Sequence, residues 1–140
     1  MKINDVLEWI QIAEDDIYSA KYLYEAVRKP FEIICYHCAQ AVEKYLKGYL
    51  TYSGIIPQKT HNLLLLLELC IEKDNSFENI RTECGLLNKF TNEIRYPYRI
   101  EIKEEDVIYS INAVDRIRNI ESIKKLIEIF KNRERENNRK

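Results

Sequence analysis

The segment YHCAQAVEKYLKGYL holds the greatest density of side chains that could do chemistry, among them His37, Cys38, Lys44 and Lys47. Cys35 lies just before it and forms a CxxC pair with Cys38, a spacing found in zinc and redox sites. On a helical wheel the two cysteines lie on the apolar side, whereas His37 points the other way. No second close cysteine pair follows, and free cysteine is a common core residue. We therefore predict that these cysteines pack in the core and hold no metal, with a metal or redox site as the alternative.

The opposite side of the same helix carries a polar stripe. His37, Gln40 and Lys44 share this face over about two turns, and Lys47 extends it by one more turn. Basic and amide groups in such a row can bind an anionic ligand, and the alternative is a merely solvated helix face.

Asp16 lies in the apolar stripe of the first predicted helix, between Trp9 and Ala20. An unpaired carboxylate would be costly there, so we expect a basic or hydrogen-bonding partner. Arg95 is the predicted partner, because the Tyr96-Pro97 turn would hold it in place, and a solvent-facing Asp16 is the alternative. The same arginine could offer its remaining donors to a phosphate beside the polar stripe. The predicted ligand-binding residues are therefore Asp16, His37, Gln40, Lys44, Arg95 and Tyr96.

The second histidine, His61, follows Thr60 at the start of the third predicted helix. Polar side chains at this position can satisfy the free backbone N–H groups of the first turn. We therefore predict a structural role for His61.

Several classes of active site have no support in the sequence. The three glycines, at 48, 54 and 85, are isolated, so no phosphate-binding loop is present. No serine hydrolase motif occurs. The acid pairs Asp15-Asp16 and Glu104-Glu105 are adjacent in sequence, so on a helix their members point about 100° apart and do not form a preset general acid and base.

The composition of the chain predicts one compact helical domain. Of its 140 residues, 46% are hydrophobic and 32% charged, with only three glycines and three prolines. The formal net charge of −1 gives no overall field that would gather nucleic acid, so any such binding needs a local patch. The sequence lacks a signal peptide and any apolar run long enough to cross a bilayer, which predicts a cytoplasmic protein with reduced cysteines and no membrane partner.

Apolar residues recur every three or four positions between Pro30, Pro57 and Pro97, which predicts an all-α protein. The expected architecture is an antiparallel up-and-down bundle of four to five helices. We place the bundle at 1–133 and a solvated, charged C-terminal tail at 134–140. The predicted helices run from about Asn4 to Lys29, from Phe31 to Ser53-Gly54, from Thr60 or Asn62 through LLLLLELCI, from a cap at Ser76 to Arg95, and from Lys103–Asp106 towards the tail.

The apolar stripe of the last predicted helix changes direction along its length. Val107, Ile111 and Val114 share one face, whereas a second group lies roughly opposite to them on the wheel. The C-terminal half therefore either bends or packs against a second subunit. The second group consists of Ile120, Ile123, Ile127 and Phe130.

Four segments in order, WIQIAEDDIYSAKYL, YHCAQAVEKYLKGYL, GIIPQKTHNLLLLL and EIRYPY, resemble the HEPN domains, small helical proteins of bacteria and archaea with eukaryotic relatives. The resemblance covers nearly the whole chain. Its most specific parts are Ala13 to Asp16, AQAVEKYLK, Thr60 to Leu63 and the RYP at Arg95 to Pro97. It implies a usually dimeric bundle of four or five helices that binds nucleotide or RNA and is often encoded beside a minimal nucleotidyltransferase. It implies no cofactor.

Many HEPN proteins are metal-independent ribonucleases of toxin–antitoxin systems, marked by an arginine followed after four to six residues by a histidine. No arginine of this chain has a histidine at that distance. Because histidine is the side chain best suited to moving protons near neutral pH, the departure favours a module that binds a nucleotide or a partner, such as the accessory subunit of a minimal nucleotidyltransferase. The alternative is a ribonuclease toxin with a non-standard site that uses His37 or His61.

Overall fold

The computed structural model describes residues 2–91 and 101–139. Within these ranges the chain is an all-α bundle with no β-strand, which confirms the predicted fold class. The described residues form six α-helices, and two short 3₁₀ helices flank the fourth. The α-helices are α1 (Ile3–Tyr24), α2 (Phe31–Tyr52), α3 (Leu63–Lys73), α4 (Arg81–Leu87), α5 (Glu104–Arg118) and α6 (Glu121–Asn138), and the 3₁₀ helices are Asn75–Ile80 and Asn88–Phe90.

Helix α1 runs antiparallel to α2, because Ile10 meets Gly48 while Asp16 meets His37. Apolar spacing in the sequence also predicts that Ile12 and Val27 lie on the buried stripe of the first helix, but both are exposed, so that part of the prediction was wrong. The helix also ends at Tyr24, five residues earlier than predicted. Its buried stripe consists of Val6, Ile10, Ala13, Ile17 and Ala20.

Helix α2 is the centre of the bundle and contacts every other α-helix. It ends as predicted near Gly54, whose φ of 86° is favourable only for a residue without a Cβ. Gly48 has a different role: a Cβ there would lie 3.0 Å from Ile10 Cδ1 and 3.3 Å from Trp9 Cβ. The absence of a side chain at Gly48 therefore lets α1 pack closely at Trp9.

The segment after α2 differs from the sequence prediction at its caps. Asn62, one of the two predicted starts of the third helix, caps α3, because its side chain accepts hydrogen bonds from the backbone N–H groups of Leu64 and Leu65, whereas His61 does not cap it. Asp74, not Ser76, caps the next element, a 3₁₀ helix that precedes the short α4. The predicted end of the fourth helix at Arg95 lies outside the described residues.

The predicted last helix is two helices, α5 and α6. The chain leaves helical geometry at Ile120, where ψ is 144°, directly after Asn119. This break turns Ile123 and Ile127 into the core, where they are buried, while Ile120 and Phe130 are half-buried. Of the two alternatives, the bend is therefore confirmed, and these residues leave no large uncovered face that would need a second subunit.

The core contains all four cysteines, each fully buried and free, as predicted for Cys35 and Cys38. Burial raises the pKa of the Cys35 thiol to about 11 and that of Cys84 to about 12, so both stay protonated. None of the helices described is both long enough and apolar enough to span a bilayer.

Candidate functional site

The polar stripe of α2 is not the solvated face that was the alternative prediction. Gln40 and Lys47 are buried, and Lys44 keeps only 15% of its side chain exposed. Helix α1 approaches this face from one side, through Trp9 and Asp16, and the chain that leads into α3 approaches from the other side, through His61. Polar groups are therefore held between α1 and the start of α3.

A carboxylate that the sequence analysis did not select, Glu43, is the centre of this face. It is 1% exposed and binds three basic groups. Lys44 Nζ donates to Oε2 at 2.6 Å, Lys47 Nζ donates to the same oxygen at 3.2 Å, and His61 Nδ1 lies 2.8 Å from Oε1. The Glu43 cluster, as we call Glu43 with Lys44, Lys47 and His61, joins α2 to the start of α3.

Two opposing effects act on the Glu43 carboxyl. Burial raises its pKa, but hydrogen bonds from Lys44 and His61 and the charge of Lys47 outweigh burial, so the pKa lies below its ordinary value. Glu43 is therefore an anion at neutral pH. The two ammonium groups exceed its single negative charge even when His61 is neutral.

Gln40 lies one turn before Lys44 and is 9% exposed. Its Oε1 accepts a hydrogen bond of 2.8 Å from Lys44 Nζ, which orients the amide. The Nε2 donor is buried and has no hydrogen-bond partner among residues 2–91 and 101–139. A buried donor without a hydrogen-bond partner costs free energy. The position of this amide therefore raises the question of which further group it binds.

Asp16 has a basic partner, as predicted, but within the described residues that partner is His37. His37 Nδ1 lies 2.9 Å from Asp16 Oδ1, and the two side chains are 28% and 17% exposed. Asp16 also lies at the edge of the buried stripe of α1 rather than at its centre. The predicted contact with Arg95, and the proposed place of Tyr96, lie outside the described residues.

Both histidines of the chain are thus held by a carboxylate through Nδ1, His37 by Asp16 and His61 by Glu43. When Nδ1 donates to the carboxylate, the Nε2 atom of a neutral ring is left as a proton acceptor. His61 is 58% exposed, so its ring is open to solvent. The predicted structural role of His61 is correct in that it fixes the start of α3 against α2, but it does not cap the helix.

A second polar cluster, separate from the Glu43 cluster, connects helices α1, α2 and α5. Arg118 of α5 donates to both oxygens of Glu14 of α1, at 3.0 and 2.9 Å, and its Nε also lies 3.0 Å from the Tyr45 hydroxyl. The Tyr45 hydroxyl donates to Glu14. One cation therefore balances one anion in this Glu14 cluster, which consists of Glu14, Tyr45 and Arg118.

An open cleft of about 630 Å³ borders the polar face near the N-terminal half of α1. Its apolar lining includes Trp9, Ile12 and the loop after α2, and Asp5 and Glu8 lie at its polar side. Lys47 Nζ lies 5.6 Å from the centre of the Trp9 ring, so one ammonium group contacts both the cleft wall and Glu43.

The described part of the chain contains no group of three or more His, Cys, Asp or Glu side chains placed to hold a metal ion. Gln40 and Lys44, both predicted ligand-binding residues, lie in contact in the structure. Asp16 and His37, which were predicted for the same site, instead contact each other, and this pairing was not predicted. The sequence prediction missed Glu43, Lys47 as a buried partner, and His61. The spacing Glu43 to Lys47, four residues apart on one helix, was the signal that could have identified the first pair.

Comparison with known proteins agrees with this architecture. A family model described as the HEPN domain matches residues 6–127. Among solved structures, the crystal structure of ST0689, an archaeal HEPN homologue, is similar at 25% identity with a TM-score of 0.64, over 93% of this chain and 98% of that one. No match was found among curated proteins. Because the family model spans most of the bundle, from the first turn of α1 into α6, the chain belongs to the HEPN domain family.

Proposed function

We propose that this HEPN chain is a nucleotide-binding module that holds a phosphate group at the exposed edge of the Glu43 cluster. The observation that carries the proposal is the excess of cationic groups around one buried carboxylate. Lys44 and Lys47 together carry two positive charges against the single charge of Glu43. A partly buried site with net positive charge favours an anion.

The groups that could meet the phosphate are Lys44 and His61. Lys44 Nζ donates to Gln40 and Glu43, which leaves one of its three protons for a ligand. His61 turns its exposed ring outward from the same carboxylate. Lys47 is buried, so it contributes charge rather than a direct contact.

The test is equilibrium binding of labelled nucleotides to the full chain, at two salt concentrations. We expect Lys44→Gln to weaken binding about tenfold, as for the loss of one charged hydrogen bond. The control is Lys124→Gln, an exposed lysine of α6, which should leave affinity unchanged. Unchanged affinity in Lys44→Gln, or no binding by the wild type to any nucleotide, would refute the proposal.

A metal-independent ribonuclease is the second candidate, and the two carboxylate-held histidines favour it. One imidazole would remove the proton of a ribose 2′-hydroxyl, whose oxygen forms a bond to the adjacent phosphorus. The bond to the 5′-oxygen breaks, and the other imidazole, protonated, gives that oxygen its proton. His37 and Glu43, the residue that contacts His61, are about 9 Å apart along α2. The imidazole rings of His37 and His61 can reach one phosphodiester only if both side chains incline towards each other across this distance. We therefore favour binding without catalysis.

Ribonuclease activity is tested by incubating the purified chain with labelled RNA in the presence of a chelator, and by inducing the chain alone in growing cells. The binding-module proposal expects intact RNA and normal growth. A cyclic-phosphate product that disappears in both His37→Ala and His61→Ala would establish the second candidate instead.

Two assembly proposals rest on the family. HEPN domains commonly form dimers, so light scattering is expected to give twice the chain mass.

The resemblance also makes a minimal nucleotidyltransferase a candidate partner, as in a toxin–antitoxin system. Co-expression with the product of a neighbouring nucleotidyltransferase gene tests this, and separate elution of the two proteins at micromolar concentration would count against it.

A further inference from the structure

The cleft beside the Glu43 cluster has the character of a binding site for a flat, partly apolar ring. The indole of Trp9 lines it together with Ile12 and Ile55, and its volume of about 630 Å³ is within the range of small-molecule sites. Ile56, at the same wall, is 92% exposed. Aromatic side chains stack against nucleobases, and branched apolar side chains can pack around them.

The polar groups of the cleft exclude phosphate and favour a hydrogen-bond donor. Asp5 and Glu8 present carboxylates at the cleft, and Lys2 carries the single opposing charge there. Carboxylates repel a phosphate but accept hydrogen bonds from the exocyclic amino group of a base. The cationic groups that suit a phosphate lie instead at the Glu43 cluster.

Lys47 connects the two regions, because its ammonium group lies over Trp9 and also binds Glu43. Thr51, which lines the cleft, is seven residues from Lys44, about 10 Å along α2. A ribose and its phosphates can bridge such a distance. We propose that the Trp9 cleft binds the base of a nucleotide that carries an exocyclic amino group, with the phosphates directed towards Lys44 and His61.

This inference rests on the proposed nucleotide binding and specifies the ligand and its direction. Because Trp9 is the only tryptophan of the chain, its fluorescence reports directly on the cleft. The full chain is titrated with adenosine triphosphate, inosine triphosphate and inorganic tripolyphosphate, with affinity measured in parallel by calorimetry. We expect the adenine nucleotide to change Trp9 emission and to bind about fivefold more tightly than the inosine nucleotide, which lacks the amino group. Tripolyphosphate should bind without that change.

Variants on the exposed wall of the cleft sharpen the test. Ile56→Asp should weaken the adenine nucleotide about tenfold by replacing apolar contact with a hydrated carboxylate, while tripolyphosphate affinity is unchanged. The matched control is Val27→Asp, since Val27 is also a fully exposed apolar residue but lies outside the cleft. The double variant Asp5→Asn, Glu8→Gln should remove the preference for adenine over inosine.

The possible failures are distinct. Equal binding of all three ligands with constant Trp9 emission would overturn the base-binding cleft and leave phosphate binding in place. No binding of any ligand would refute the proposed function and this inference together. A concentration-dependent change of Trp9 emission without ligand would assign the cleft to a second copy of the chain and overturn the inference.

Discussion

Two carboxylates near the middle of the bundle, Glu14 and Glu43, are both shielded from water but have different surroundings. Glu14 is held by a two-point contact from Arg118 and by the Tyr45 hydroxyl. Glu43 is held by two lysines and His61. The first set of groups is balanced in charge, and the second carries surplus positive charge.

This difference in charge distinguishes a structural contact, at Glu14, from a site that can bind a ligand, at Glu43. Two hydrogen bonds join the guanidinium of Arg118 to both oxygens of the Glu14 carboxylate, in a bidentate pair that spans α1 and α5. The Glu43 cluster instead leaves a proton of Lys44 and the exposed ring of His61 for another molecule, beside the Gln40 Nε2, which has no partner among the residues that the structure describes. We therefore expect changes at Glu14 to affect stability alone and changes at Glu43 to affect stability and binding.

Arg118→Met should cause the largest loss of stability. It leaves the Glu14 carboxylate, whose side chain is 16% exposed, without its cation. Removal of one partner from a buried ion pair costs about 3–5 kcal/mol, and some exposure here lowers the expectation to about 2–3 kcal/mol. Urea unfolding measures the change.

A second variant identifies the cause of that loss. Glu14→Gln combined with Arg118→Met removes both charges and should recover part of the lost free energy of unfolding. Nucleotide affinity should be unchanged in both proteins. A double variant as unstable as Arg118→Met would attribute the loss to packing of the arginine side chain rather than to the unpaired charge.

Glu43→Gln should lower the free energy of unfolding by about 1–3 kcal/mol, because two buried or nearly buried lysines lose their anion. The same change removes one negative charge beside the proposed phosphate, so affinity for a phosphate ligand should rise. Glu14→Gln is the matched control, with lower stability and constant affinity. A fall in affinity for Glu43→Gln would show that the carboxylate orients Lys44 and His61 more than it neutralises them.

The fold was predictable from local signals. Apolar spacing of three and four gave the helices, and Gly54 correctly marked the end of α2. The break at Asn119-Ile120 was foreseen only as one of two alternatives, because a change in the direction of an apolar stripe is compatible with a bend or with a second subunit. The length of α1 was overestimated for a related reason, since Val27 fits the spacing but lies beyond the helix.

The site was less predictable because its contacts join distant parts of the chain. A helical wheel places Glu43 between the apolar and polar sides of α2, but it does not show that His61 approaches from the start of α3. The contact of Arg118 with Glu14 is separated by 104 positions. Gln40 and Lys44 could be identified from the sequence because they contact each other one turn apart on the same helix.

The two glycines that lie within helices provide a smaller contrast. At Gly48 a methyl group would lie 3.0 Å from Ile10 and press on Trp9, whereas at Gly85 a Cβ meets nothing within 4 Å. We expect Gly48→Ala to lower the free energy of unfolding by about 1–2 kcal/mol and to alter Trp9 emission. Gly85→Ala should raise it by about 0.5–1 kcal/mol through the backbone entropy of the unfolded chain. Equal effects of the two substitutions would contradict the close approach of α1 at Gly48.

The smallest expected effect is the contribution of Glu43 to the dependence of stability on pH. The direction of this dependence can be stated. The pKa of Glu43 is lower in the folded chain than its ordinary value, so the folded state binds this proton less readily than the unfolded state. The stabilisation by Glu43 is therefore present above the unfolded pKa of about 4.3 and is lost as the pH falls through the lower, folded value. In urea unfolding between pH 6 and pH 3, the difference in stability between the wild type and Glu43→Gln should shrink towards the acid end. A difference that stays constant over this range would mean that the Glu43 carboxylate contributes through packing and not through its charge, and the contrast with Glu14 would then lose its electrostatic basis.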